Sequence, residues 1–226
     1  MDYLQGMQIS EIDRARKYAV QTRLKMLRHY QMLLIDELAG WDEPPDAALL
    51  PHANRVARVA GVLAEALHLP DAEVNMIRRA TPLHDIGKLQ LPEDIIWKPA
   101  RLSQDEYALI KSHTVAGCSM LQVGCSPMLR MASEIALTHH ERWTGAGYPH
   151  GCQGTDIPLA GRIVAVADVF DALTRERIYK SAWKPERAVE YLILESGRQF
   201  DPQVISVFIE VWNAGGFSQW WPSTGN

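Results

Sequence analysis

Seven ionisable residues of the chain could do joint chemistry if the fold brought them together. His84 and Asp85 are adjacent and run into Ile86-Gly87-Lys88, and His139 and His140 are adjacent and run into Glu141. His52 opens one candidate helix and His113 lies within another. Asp168 interrupts the apolar run Arg162-Ile163-Val164-Ala165-Val166-Ala167-Asp168-Val169-Phe170. A lone buried carboxylate is costly unless it is paired or metal-bound; on the polar side of its helix Asp168 would be an ordinary exposed residue. Five histidines and two aspartates at helix ends and centres converge only if the helices pack as a bundle, where inward imidazoles and carboxylates build di-metal sites.

Imidazole mixed with carboxylate suits divalent iron, manganese or zinc and disfavours calcium and magnesium, which prefer oxygen shells. A carboxylate such as Asp85 can bridge two ions, and ions about 3.5–4 Å apart stabilise an in-line displacement at phosphorus. Lys88 stands one helical turn after His84, where it could neutralise charge on phosphate oxygens in the transition state. Glu141 would either orient a ligand histidine or make a surface ion pair.

The elements that must position these residues read as helices. Residues 4–39 lack proline and space Val20, Leu24, Leu27, Leu34 and Leu38 in steps of three and four, a short heptad pattern that fits a helix packed on its own domain or a dimerising one. A linker follows with Gly40, Pro44, Pro45 and Pro51. Residues 51–68 carry the apolar stripe Val56, Val59, Ala60, Leu63, Ala64 and Leu67. The pattern predicts a helix over 71–83, with Pro82 kinking its end, and Ser103 with Glu106 forms a capping box opening a helix through about Met120. Residues 127–139 and 159–174 are also helical in pattern, and Pro185 and Pro202 suit first helical turns, with Asp201 as a cap. Between them, residues 141–158 are punctuated by Gly145, Gly147, Pro149, Gly151, Gly154 and Pro158, a long loop of the kind that is usually functional. The tail after Asn213 carries no assignable pattern. No strand alternation is visible, so the expected class is all-α.

Bulk properties exclude several functions. The chain has 226 residues and a net charge of −4, which fits one buried domain plus an appended element and disfavours a long nucleic acid as partner. The three cysteines match no zinc ribbon and read as reduced thiols. No stretch reaches the ~20 apolar residues of a membrane span, and Met1-Asp2-Tyr3-Leu4-Gln5 lacks the layout of a signal peptide, so a cytoplasmic location is expected.

The ordered pieces His52-Ala53-Asn54-Arg55-Val56, Leu83-His84-Asp85-Ile86-Gly87-Lys88, Lys98-Pro99-Ala100-Arg101-Leu102, His113-Thr114-Val115-Ala116-Gly117, His139-His140-Glu141-Arg142-Trp143, Gly145-Ala146-Gly147-Tyr148-Pro149 and Asp168-Val169-Phe170-Asp171-Ala172-Leu173 running into Arg177-Ile178-Tyr179-Lys180 resemble the HD-GYP branch of the HD-domain metal phosphohydrolases. The resemblance covers about residues 45–213 and implies an HD-domain helical bundle, bounded at 41–213; the sequence pattern adds an N-terminal helix over 1–40 and an irregular tail over 214–226. It implies hydrolysis of the bacterial messenger cyclic di-GMP to pGpG, sometimes onward to GMP. His52, His84, Asp85 and Asp168 would hold one metal. Asp85 would bridge to a second ion completed by His113, His139 and His140, with the division between the last two left open. Asp85 and Lys88 would be catalytic. Lys88, Tyr148, Asp171, Arg177 and Lys180 would contact substrate. The ions would be iron or manganese, with zinc, nickel or cobalt as preparation-dependent occupants. Protein partners would dock on the loop around Tyr148; a homodimer through the N-terminal helix rests on the heptad pattern alone, beside the alternative of a helix packed on its own domain.

The departures bear on the count. Ala48 stands where three-metal members carry a glutamate, which favours two ions. Thr144, Cys152 and Ala100 differ from usual family residues without touching the ligand set. Two rival functions stay open: a receptor or adaptor that binds cyclic di-GMP with little turnover, or an HD phosphohydrolase acting on another nucleotide.

Overall fold

In the computed structural model the described residues are 52–96, 98, 100–122, 126–175 and 181–218. The expected helix over 4–39, its dimer seam, Ala48, Arg177 and Lys180 lie outside them.

Helix α1 (His52–Ala66) forms where the sequence places a helical stripe, and Val56, Val59, Ala60, Leu63 and Ala64 are fully buried along it. Helix α2 (Asp71–Ala80) packs back against α1 with Val74 and Ile77 inward. It stops one residue before Thr81, and Thr81–Leu83 tightens into a 3-10 turn containing Pro82. Proline has no N–H to continue the α-helical ladder, so the expected helix through residue 83 ends early. A second 3-10 turn, Ile86–Gln90, follows at once. His84 and Asp85 are therefore held between two tight turns rather than on a helix face.

A short helix α3 (Glu93–Ile96) precedes α4 (Gln104–Lys111), which the Ser103–Glu106 capping box opens as expected. The helix expected to run through Met120 breaks at Ser112, and α5 (His113–Leu121) begins anew. Helix α6 (Pro127–Thr138) packs on α5, α2 and the long central α7 (Leu159–Thr174), and α7 also packs on α1. Helices α8 (Pro185–Leu194) and α9 (Pro202–Asn213) cover the other side of α7; the Asp201 carboxylate accepts from the backbone N–H of Gln203 and caps α9.

Two apolar regions hold the helices in register. One is the aliphatic seam of α1, α6 and α7. The other joins Phe170 to Phe208 and Phe217, with ring centroids 5.0 and 6.2 Å away. Phe217 lies in the segment after Asn213 and is buried, so this part of the tail packs into the core. Among the described residues there are no strands, only isolated bridges at Thr144–Gln153 and Ser196–Phe200. No helix among them is long and apolar enough to cross a membrane.

Candidate metal centre

Five elements deliver the histidines and acids to one place. His52 is the first residue of α1, His84 and Asp85 sit between the two 3-10 turns, and His113 is the first residue of α5. His139 caps the C-terminus of α6 with His140 beside it, and Asp168 projects from the middle of α7.

Asp85 is common to two groups of donors. Asp85, His113, His139 and His140 each place a ligand atom within 4.8 Å of the others, and so do His52, His84 and Asp85. The two carboxylate oxygens face different ways. Oδ1 is 3.3 Å from His113 Nε2 and 3.8 Å from His139 Nε2, whereas Oδ2 is 3.4 Å from His84 Nε2 and meets the Lys88 ammonium. Asp168 is outside both groups of mutually close donors but adjoins the second, with Oδ1 3.1 Å from His52 Nε2.

Three imidazoles share one orientation. His84 Nδ1 donates to the Thr81 carbonyl at 2.9 Å, His113 Nδ1 to Ile110 at 2.7 Å, and His139 Nδ1 to Ile135 and Ala136 at 3.0 and 3.1 Å. Each uses a carbonyl three or four residues earlier, and each is left with Nε2 facing Asp85. His52 opens its helix and has no preceding helical turn to use. Its Nδ1 donates instead to Asp171 at 2.6 Å. Occupying Nδ1 in this way fixes the tautomer and directs Nε2 at a cation.

The donors present fit a metal. His84 Nε2 and Asp85 Oδ1 are buried and have no hydrogen-bond partner, an arrangement that is costly unless another group satisfies it. His113 Nε2 and His139 Nε2 approach to 3.5 Å with both Nδ1 atoms already donating, so two lone pairs face each other. Burial pushes the pKa of His113, His139 and His140 down, His140 to about 4, which keeps them neutral and able to ligate. Burial opposes ionisation of Asp85, but the neighbouring His84 and Lys88 outweigh it and hold the carboxyl well below its usual range. Burial likewise opposes charging of His52, yet its hydrogen bonds to Asp168 and Asp171 lift it to about 9.

The structure places Asp171 elsewhere than the expected substrate contact. Its side chain is 1% exposed, and both oxygens are engaged, by His52 and by Arg55 at 2.6 and 2.9 Å. It stands behind His52 and holds it. Arg55 escaped the sequence reading, although a signal exists: His52 and Arg55, and likewise Asp168 and Asp171, are separated by one helical turn. Two helices meeting at His52 and Asp168 bring the other pair level. Glu141 follows neither reading proposed for it. It is buried, and its Oε1 accepts the backbone N–H groups of His150 and Gly151 at 2.7 and 3.1 Å, pinning the glycine-rich loop. Tyr148, on that loop, lies over His140 with ring centroids 4.9 Å apart.

A model of the HD domain matches residues 43–204 of the chain. The chain is 40% identical over 187 residues to the 3'3'-cGAMP-specific phosphodiesterase 2 of Vibrio cholerae, an alignment covering 83% of the chain and 36% of that protein. It is 39% identical over 210 residues to the cyclic di-GMP phosphodiesterase response regulator RpfG of Xanthomonas campestris, covering 91% of the chain and 56% of the relative. The chain thus spans about a third to just over half of these relatives. Among solved structures, an HDG"Y"P protein from Bdellovibrio bacteriovorus superposes with a TM-score of 0.58 at 21% identity, over 72% of this chain and 51% of that one. At that identity the likeness concerns the fold, and the expected HD-type helical bundle is borne out.

Proposed function

Because the chain belongs to the HD domain family, we propose that it is a two-metal phosphodiesterase that hydrolyses cyclic di-GMP, with pGpG as first product. The observation that carries this reading is the shared carboxylate: Asp85 turns one oxygen to each of two donor groups. Relatives of both messenger classes support a cyclic dinucleotide as substrate.

His52, His84, Asp85 and Asp168 would hold one ion, and Asp85, His113, His139 and His140 the other. The mixed imidazole and carboxylate set favours iron or manganese, with zinc, nickel or cobalt as substitutes. When bound, such a pair supplies Lewis acidity and a water acidic enough to attack phosphorus near neutral pH. The chain's own residues do the rest. Lys88 brings a cation to the Asp85 side of the cage, 41% exposed, where it can meet a phosphate oxygen as negative charge grows. Asp171 and Arg55 fix the His52 ring, so that its Nε2 would be held ready for an ion. Tyr148 covers His140, where it would meet the entering nucleotide; burial pushes its pKa up, so the phenol keeps its proton. Arg177 and Lys180 are assigned to phosphate and guanine by their family positions. The catalytic domain is placed at 41–213, acting in the cytoplasm.

A second reading, 3'3'-cGAMP as substrate, is favoured by the relative of that specificity at 40% identity. Incubating the manganese- or iron-loaded chain with each messenger and separating products chromatographically decides between them. Release of pGpG from cyclic di-GMP is expected. Turnover of 3'3'-cGAMP alone would install the second reading, and turnover of neither would leave a receptor.

A further inference from the structure

We propose that Tyr107, Lys111 and Tyr148 form a subsite for a guanine base beside the metal cage, in which a base stacks on tyrosine and the lysine reads its edge. The inference rests on the cyclic-dinucleotide reading and names what one half of that substrate meets.

Helix α4 buries none of its side chains, yet it carries a tyrosine that is 51% exposed. One turn on, the Lys111 ammonium lies 5.1 Å from the centre of the Tyr107 ring and 5.7 Å from that of Tyr148. Tyr148 in turn overlies His140, 4.9 Å away, so a continuous row of rings and one cation runs from a candidate metal ligand to the surface. The acid that might have drawn Lys111 away is engaged elsewhere: both Glu106 oxygens accept from Lys98 at 2.7 Å, and one also accepts the Ser103 N–H. Among the described residues Lys111 makes no ion pair.

Aromatic rings with an adjoining cation suit a planar base, because every base offers a π-face. The lysine adds a preference. An ammonium only donates hydrogen bonds. Guanine presents two acceptors, N7 and O6, on one edge, whereas adenine pairs its N7 acceptor with an N6 donor. The subsite therefore takes guanine over adenine. Cyclic di-GMP and 3'3'-cGAMP both carry a guanine, so it admits either and disfavours the diadenosine analogue.

Equilibrium dialysis of GMP and AMP against the manganese-loaded full chain tests this. Wild type should bind GMP about tenfold more tightly than AMP. Lys111→Met should abolish that preference. Tyr107→Leu should weaken both nucleotides about tenfold, and Tyr107→Phe should restore them, with manganese content unchanged throughout. Equal affinity for GMP and AMP in wild type, or a preference that survives in Lys111→Met, would overturn the proposal. Because the readout is binding, the two readings fail separately. A chain that prefers GMP but turns over no cyclic dinucleotide refutes the enzymatic reading and keeps the subsite; one that turns over cyclic di-GMP with no GMP preference does the reverse.

Discussion

At the scale of residues, the site is organised by what holds each Nδ1. Three histidines use a carbonyl of their own preceding turn, so their orientation comes with the local backbone. His52 depends on a distant side chain, Asp171, which Arg55 holds in turn. That makes His52 the candidate ligand most easily disturbed from behind. Asp171→Asn keeps the shape but removes the charge facing Arg55, and should destabilise the fold by on the order of 3 kcal/mol. It should also weaken manganese retention by about tenfold or more. Denaturant unfolding and dialysis of the metal-loaded protein measure the two effects. His52 carries a second consequence. Its pKa in the metal-free chain is raised from 6.5 to about 9, so it keeps its extra proton through neutral pH and loses it as pH rises through about 9. An ion arriving at Nε2 must expel that proton. Metal binding below pH 9 should therefore release a proton, and apparent affinity should climb with pH and level off above it. Titration calorimetry in buffers of different ionisation enthalpy reads the proton directly.

At the scale of elements, close backbone contacts set the cage. A Cβ on Gly87 would lie 1.9 Å from the His113 carbonyl oxygen and 2.5 Å from Gly117 N, so the turn carrying Asp85 rests directly on the backbone of α5. Gly61 is also crowded, but by the flexible Arg78 side chain, with Nε at 2.2 Å. Gly87→Ala should cost several-fold more stability than Gly61→Ala and should lower metal content, which Gly61→Ala should leave intact. Paired melting curves and elemental analysis check the contrast. The helices themselves were largely legible in the sequence, because their start signals act locally: Ser103 with Glu106, Pro185, and Asp201 with Pro202. The break at Ser112 was not. The Ser112 hydroxyl donates to the Leu109 carbonyl at 2.6 Å, and His113 Nδ1 to that of Ile110. These side chains take the acceptors that a continuing helix would use. The apolar pattern runs on through the break, so periodicity alone does not reveal it.

At the scale of the whole molecule, the ordered set of motif residues picked out donors that the bundle brings inward, most of them at element ends and Asp168 from the middle of α7. What stood behind these donors was not readable. The spacing of His52 to Arg55 and of Asp168 to Asp171 gives a shared face on each helix, but not that α1 and α7 meet there. Glu141 shows the same limit: its partners are backbone amides nine and ten residues on, set by the loop's path rather than by residue type. The account as a whole depends on Asp85 serving two ions at once. Electron paramagnetic resonance of manganese titrated into the metal-free full chain tests that most directly. It should show a pair of ions per chain with coupled spins, and Asp85→Asn should abolish the coupled signal. A single uncoupled ion in the wild-type chain, or a coupled pair that survives in Asp85→Asn, would contradict it.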